Sequence, residues 1–232
     1  MRPHRAYAPQ LQPTLSLTGR EAHHLAEVLR ARPGDAVTVF DGKGREGRAV
    51  VRRVEGGVVE LEVTETWPAG REPPLPVVLY VALLKGDGLA DVVRAATELG
   101  VTRIVPLVSL HAVAKEMGEG KLLRLRRVAL EAAKQSGRTT VPEVLAPIPL
   151  GAIPPVEQGL VAHPGSSLRV RDVLDLSQPV ALATGPEGGF SEAEVQILAE
   201  RGFTPVTLGR RILRAETAPL ALLSLVTAGE GL

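Results

Sequence analysis

The sequence predicts an α/β protein in two parts: a small antiparallel β-barrel, then a larger domain built on a mostly parallel sheet. Three observations carry this. In the first third, β-rich runs are separated by Asp41-Gly42 and Gly56-Gly57, dipeptides that mark tight hairpins. A stretch that can continue neither strand nor helix follows, Trp67-Pro68-Ala69-Gly70-Arg71-Glu72-Pro73-Pro74-Leu75-Pro76, and reads as a linker. Beyond it, short apolar runs alternate with segments of helical period, as in strands joined by crossover helices. The expected boundaries are residues 1–70 for the barrel and 75–232 for the second domain.

Each element has its own warrant. Residues 1–15 read as extended and broken by proline. Thr18-x-x-Glu21 reads as a capping box opening a helix, with Leu25, Val28 and Leu29 as its apolar stripe and Pro33-Gly34 as its stop. Ala36–Phe40, Arg48–Val54 and Val58–Val63 are the β-rich runs. After the linker, Val77–Leu84 is a continuous apolar run, expected for a buried strand. Leu89, Val92, Val93, Ala96 and Leu99 recur at helical spacing until Gly100. Val101–Val108 is the next strand. Leu122, Leu125, Ala129, Ala132 and Ala133 mark a helix with an Arg/Lys row on its other face. Gly159–Ala162 and Val180–Ala183 are short buried strands. Ser191-x-x-Glu194 is a second capping box, with a helix to about Arg201. Leu220 to Val226 is almost wholly apolar, a helix to be buried against the sheet or another subunit.

Composition bounds the function classes. The chain has 232 residues, 44% hydrophobic and 23% charged, with a net charge of +1. Cysteine is absent, which excludes disulfides and thiolate metal sites. Histidines 4, 23, 24, 111 and 163 show no metal-ligand spacing. The sequence shows no apolar signal segment near its start and no stretch near the ~20 apolar residues of a membrane helix. The expectation is a soluble, cytoplasmic protein without a metal or a membrane. Charge is clustered: seven basic against three acidic residues from Arg30 to Arg53, and six against one from Lys121 to Arg138. Either cluster reads equally as a solvated face or as a footprint for a phosphate backbone.

Two loops near the end are the best site candidates. Gly185-Pro186-Glu187-Gly188-Gly189-Phe190-Ser191 follows one strand pattern; Leu208-Gly209-Arg210-Arg211-Ile212-Leu213-Arg214-Ala215-Glu216-Thr217-Ala218 follows the run Thr204–Thr207. In open α/β sheets, ligands sit at the carboxyl ends of strands. The glycine spacing is neither the dinucleotide G-x-G-x-x-G nor the phosphate loop G-x-x-x-x-G-K-[ST]. A ligand held by backbone amides and apolar walls fits better, though the first loop also serves as a plain β-to-α turn. The second is longer than the ~2–6 residues usual for such connections and is charged on both sides of Ile212-Leu213; an ion-paired loop is the alternative.

These residues also carry a resemblance. GPEGGFSEAE followed by LGRRILRAETA is similar to the ribosomal RNA small subunit methyltransferase E family, in the SPOUT class of knotted methyltransferases. Lys85-Gly86-Asp87, Thr97-Glu98-Leu99-Gly100-Val101, Gln135-Ser136-Gly137-Arg138 and His23-His24-Leu25-x-x-Val28-Leu29-Arg30 match in the same order, so the resemblance spans nearly the whole chain. It departs at Lys134, Leu125, His111-Ala112 and Ala95, none of them in the two loops.

The resemblance implies a PUA-like barrel followed by a SPOUT domain with a C-terminal trefoil knot that binds S-adenosylmethionine. It implies a homodimer that methylates N3 of a uridine in 16S ribosomal RNA, on the assembled small subunit. A sister SPOUT enzyme acting on a transfer RNA base or ribose, and a non-catalytic ribosome-assembly factor, are the alternatives. The cofactor walls expected are His163, Thr184, Gly185, Pro186, Gly188, Gly189, Leu208, Gly209, Ile212, Leu213, Thr217 and Ala218. Deprotonating uridine N3 puts negative charge on the flanking carbonyl oxygens, and a cation aimed there stabilises it. Arg214 and Arg138 are the candidates. Glu187 or Glu216 takes the proton or holds an arginine. Arg30, Arg32, Arg52, Arg53 and Lys85 are the expected RNA contacts.

Overall fold

The computed structural model describes residues 4–70 and 72–227. The expected extended start at Met1–Pro3, the linker residue Arg71 and the end of the second domain at residues 228–232 lie outside the described residues. The chain forms two compact units: Met1–Glu72 with Ala133–Val141, and Pro73–Ala132 with Pro142–Leu232.

The first unit is a five-stranded sheet. Its strands are β1 (His4–Tyr7), β2 (Thr14–Leu17), β3 (Ala36–Phe40), β4 (Arg45–Glu55) and β5 (Val58–Pro68), in the order β1-β3-β4-β5-β2. Only β1 and β3 run parallel. The sequence shows why. Val37/Val39 and Val59/Leu61 alternate with polar residues, and Ala49/Val51 flank a half-buried Val50, so each strand turns one apolar row inward, and these residues form one core with Leu15, Leu17 and Leu25. Gly56 and Gly57 both have positive φ, +59° and +76°, as a two-residue hairpin turn with the sheet's own twist requires.

Three sequence expectations change in this unit. The stretch read as extended supplies two strands, β1 and β2. Trp67 and Pro68 are not linker but the end of β5, and Trp67 Nε1 donates to Glu46 Oε1 at 3.2 Å. Thr18 does precede a helix, α1 (Gly19–His23), but makes no side-chain cap. Its partner is engaged elsewhere: Glu21 Oε2 accepts from the Tyr7 amide at 3.0 Å, and Oε1 from Lys134 Nζ at 2.8 Å. α1 runs on as a π-helical turn, His24–Val28. It closes at Arg30, before Pro33-Gly34. Arg30 is left-handed (φ +53°) and the Ala31 amide donates to Leu25 O, an end usually left to glycine.

The second unit is a parallel sheet with crossover helices. β6 (Val77–Ala82), α2 (Gly88–Glu98) and β7 (Arg103–Val108) come first. α3 (Glu119–Ser136) leads to the two-residue strands β8 (Glu143–Val144) and β9 (Ile148–Pro149). Then follow β10 (Gly159–Ala162), α4 (Val170–Val173), β11 (Val180–Thr184), α5 (Glu192–Glu200), β12 (Phe203–Val206) and α6 (Thr217–Thr227). The strand order is β12-β10-β11-β6-β7-β8, with β9 beside β7, and every pairing is parallel. The chain builds outward from β6 through β7 to β8 on one side, then crosses to the other, where β11 is inserted between β6 and the earlier β10 and β12 is added outside β10. Order reversal of this kind marks the crevice where open α/β sheets bind ligands.

The capping box predicted at Ser191 is formed. Ser191 Oγ accepts from the Glu194 amide at 3.3 Å, and Glu194 Oε2 accepts from the Ser191 amide at 2.9 Å. α6 buries Pro219, Leu222, Leu223 and Val226 and packs on β10, β11 and α2, while Leu225 is exposed. Among the described residues no helix is long and apolar enough to cross a membrane, and no group of His, Cys, Asp and Glu could hold a metal ion.

Candidate active site

A cavity of about 700 Å³ opens at the carboxyl ends of β10, β11 and β12, within the range of about 300–1,000 Å³ usual for small-molecule sites. Three strand ends build it. Ala162–Gly165 leaves β10, Gly185–Phe190 leaves β11, and most of Leu208–Ala218 leaves β12. The first wall is fixed by backbone: the His163 amide donates to Val206 O and the Thr207 amide to Leu168 O.

The glycine-rich loop is held from outside the cavity. A Cβ on Gly185 would stand 2.9 Å from the Phe190 amide nitrogen and 3.1 Å from the Gly189 carbonyl carbon, so the loop folds back on a backbone no side chain could share. A Cβ on Gly188 would stand 3.1 Å from His111 Cβ. His111 Nδ1 lies 3.3 Å from Gly189 O, and the Leu110 amide donates to Glu194 Oε1 at 2.6 Å. The loop after β7 therefore clamps the loop after β11.

Most of the residues expected around a cofactor are together here. His163, Gly185, Pro186, Gly188, Gly189, Leu208, Gly209, Ile212, Leu213 and Ala218 all line the cavity. Thr184 is wholly buried beneath the loop with its hydroxyl unpartnered, and Thr217 opens α6; neither lines the wall. Phe190, Arg211 and Ala215 of the two loops line it too, as do Ala162, Pro164 and Gly165, which the sequence reading did not single out. Pro164-Gly165, a turn pair directly after a strand pattern, was the signal available.

The charged candidates separate. Glu187, Arg214 and Glu216 line the cavity. Glu187 Oε1 accepts from the Lys85 amide at 3.2 Å. The Glu216 side chain lies against Gly88, where a Cβ would come within 3.0 Å of its Cγ and Oε1. Arg214 has no ion pair or side-chain hydrogen bond among the described residues, and neither have Arg210 and Arg211. Arg138 does not line the cavity. It is in the first unit, its side chain 5% exposed, and its Nε and Nη2 donate to Glu72 Oε2 at 3.0 and 2.5 Å. A buried guanidinium committed twice to one carboxylate is not available to a uracil oxygen, so the catalytic reading of Arg138 gives way to a structural one.

The RNA candidates also divide. Arg30 and Arg32 are exposed and free of ion pairs among the described residues, as is the Lys85 ammonium. Arg52 and Arg53 are exposed but paired, with Glu62 and Glu55.

The fit to S-adenosylmethionine can be tested on these walls. The lining offers backbone amides of a glycine-rich turn, two cations unpaired among the described residues (Arg211 and Arg214), two carboxylates and the apolar faces of Pro186, Leu208, Ile212 and Leu213. Ile212 is 89% exposed, an apolar side chain set out for something to cover. A small molecule with an apolar ring and charged ends suits such a lining, and the residues present fit the cofactor.

Fold and cavity define a class, and the comparisons agree with it. Residues 71–227 match the RNA methyltransferase domain family, and residues 17–63 the RNA methyltransferase PUA domain. The first unit is accordingly PUA-like and the second of the SPOUT class. Among the relatives that carry the name ribosomal RNA small subunit methyltransferase E are two covered over most of their length. The one from Synechocystis sp. is 38% identical over 94% of this chain and 74% of its own length; the one from Bacillus subtilis is 33% identical over 93% and 90%. A crystal structure of that enzyme from Neisseria gonorrhoeae, bound to S-adenosyl methionine, superposes with a TM-score of 0.90, at 34% identity over 98% of each chain. The chain belongs to the ribosomal RNA small subunit methyltransferase E family.

Proposed function

We propose that this chain methylates N3 of a uridine in 16S ribosomal RNA, using S-adenosylmethionine, on the assembled small subunit. The observation that carries this is the cavity itself: a glycine-rich loop and an arginine-bearing loop meet at the ends of β11 and β12, with Arg211 and Arg214, unpaired among the described residues, and two carboxylates on its wall. The family name points to the RNA; the cavity supports the cofactor. The setting is cytoplasmic and the working form a homodimer. Ile212, Leu225, Leu110 and Val113, all exposed in the second unit, are apolar groups that a partner subunit would cover.

Bound S-adenosylmethionine supplies a methyl group already activated by its sulfonium. The protein's share is position and charge. The Gly185–Gly189 backbone, Leu208, Ile212, Leu213 and Ala218 hold the cofactor. Lys85, Arg30 and Arg32 draw in the phosphate backbone. Fixing the uracil ring in line with the methyl group removes most of the entropic barrier. Arg214 stabilises the negative charge that appears on the uracil carbonyl oxygens as N3 loses its proton. One Glu187 oxygen is occupied by the Lys85 amide. Glu216 makes no hydrogen bond through its carboxylate among the described residues, which makes it the group to take the N3 proton.

The test is transfer of labelled methyl to small subunits from a strain lacking this protein, followed by nucleoside mass spectrometry. Label at uracil N3 of 16S RNA is the expected result. Label only in transfer RNA would assign the chain to a sister enzyme, and no label to either RNA would leave an assembly factor.

A further inference from the structure

The loop after β6, Lys85–Gly88, does not line the cavity, yet it is held from two sides. Toward the cavity, the Lys85 amide donates to Glu187 Oε1, and Gly88 presents a bare Cα to the Glu216 side chain. Away from it, Asp87 Oδ1 accepts from Arg124 Nη1 at 2.5 Å, and Gly86 O accepts from Lys121 Nζ at 3.3 Å. Lys121 and Arg124 are three apart on α3 and so share one face. The backbone turns sharply between these contacts, with Gly86 at φ +61°. Both carboxylates on the cavity wall therefore rest on a loop held by the first turn of α2, where the Ala90 and Asp91 amides donate to Asp87 O, and by two side-chain contacts from α3, one ion pair and one lysine.

That ion pair is poorly placed to serve stability. The Asp87 and Arg124 side chains are 70% and 51% exposed, and exposed pairs add little to folding. Its consequence lies in what it holds. The charged form also persists: the Arg124 guanidinium, first by its hydrogen bond and then by its charge, keeps the Asp87 carboxyl below the usual carboxylate range.

We propose that Asp87 and Arg124 are positioning residues for methyl transfer: their pair fixes the Lys85–Gly88 loop, and the loop keeps Glu187 and Glu216 in place on the cavity wall. The proposal rests on the methyltransferase reading above.

The experiment compares wild type with Asp87→Asn, Arg124→Gln and Arg124→Lys. A control, Glu143→Gln, breaks the similarly exposed Arg103–Glu143 pair at 2.9 Å. Four quantities are read: kcat, the KM for S-adenosylmethionine, the melting temperature, and hydrogen exchange at the Lys85 amide. Asp87→Asn and Arg124→Gln should lose kcat by about ten- to a hundredfold, the scale of a catalytic group displaced by about 1 Å. Melting and cofactor KM should stay near wild type, and Lys85 exchange should speed up. Arg124→Lys, which keeps the charge, should retain most of kcat, and Glu143→Gln all of it. An active wild type beside an Asp87→Asn of equal kcat overturns this inference alone. So does an equal loss in Glu143→Gln, an Arg124→Lys as impaired as Arg124→Gln, or unchanged Lys85 exchange. A wild type that moves no methyl overturns the function, and this inference with it.

Discussion

Arg214 is the residue on which the proposed chemistry turns. It stands on the cavity wall unpaired among the described residues, while its carbonyl caps the first turn of α6 by accepting from the Thr217 and Ala218 amides. Backbone anchoring leaves its side chain available. Arg214→Ala should bind S-adenosylmethionine as wild type does by calorimetry. Its single-turnover rate should fall by about 10²–10³, the usual loss for one charge-stabilising donor. Lost binding with normal turnover per bound cofactor would reverse the assignment. Arg138 was equally plausible in the sequence and proved to be a buried partner of Glu72, 66 positions away. Residue type and local spacing carry no information about a partner that distant. Gly185 was easier to read, because it is constrained by Gly189 and Phe190 within its own loop, whereas the neighbour of Gly188 is the distant His111.

At the scale of elements, the same capping motif met two fates. Ser191 and Glu194 close their box on α5. Glu21 is drawn from Thr18 by the Tyr7 amide and Lys134, and α1 runs only from Gly19 to His23 before its π-helical turn. Tertiary partners, absent from a local reading, decided between them. Hairpins show the same contrast. The Gly56-Gly57 turn was legible, but not that Arg52 faces Glu62 across β4 and β5, or that Arg53 folds onto Glu55. Free and paired arginines should therefore differ in RNA binding. Arg30→Ala and Arg32→Ala should each reduce the salt slope of binding by about 1. Arg52→Ala and Arg53→Ala should reduce it less, since each releases a carboxylate. A slope unchanged from wild type in all four would remove this face from the interface. Asp87 gives a pH prediction. Its folded pKa is lowered by the hydrogen bond and charge of Arg124, with a smaller contribution from Lys121. The stabilisation of the pair is thus complete above the ordinary aspartate value of 3.8 and is lost only as pH falls through a lower one. Carboxyl-carbon NMR should put the Asp87 midpoint below 3.8; a midpoint at or above it would contradict the pair.

For the whole molecule, alternation of strand and helix patterns made the α/β class legible, and the five main parallel strands fall where the apolar runs are. Strand order was not legible. Nothing local says that β10 lies between β11 and β12, or that the short runs His4–Tyr7 and Thr14–Leu17 become the two edges of the first sheet. Nor does the sequence show that Ala133–Val141, which begins in the last turn of α3, counts with the first. Such pairings depend on contacts between distant segments, and apolar periodicity reports only which face is buried. The central claim is that the loops after β10, β11 and β12 form one cofactor site. Hydrogen exchange over the full chain, with and without S-adenosylmethionine, tests it most directly. Protection confined to His163–Gly165, Gly185–Ser191 and Leu208–Ala218 is the predicted result; no protection, or protection centred on residues 4–70, would contradict it.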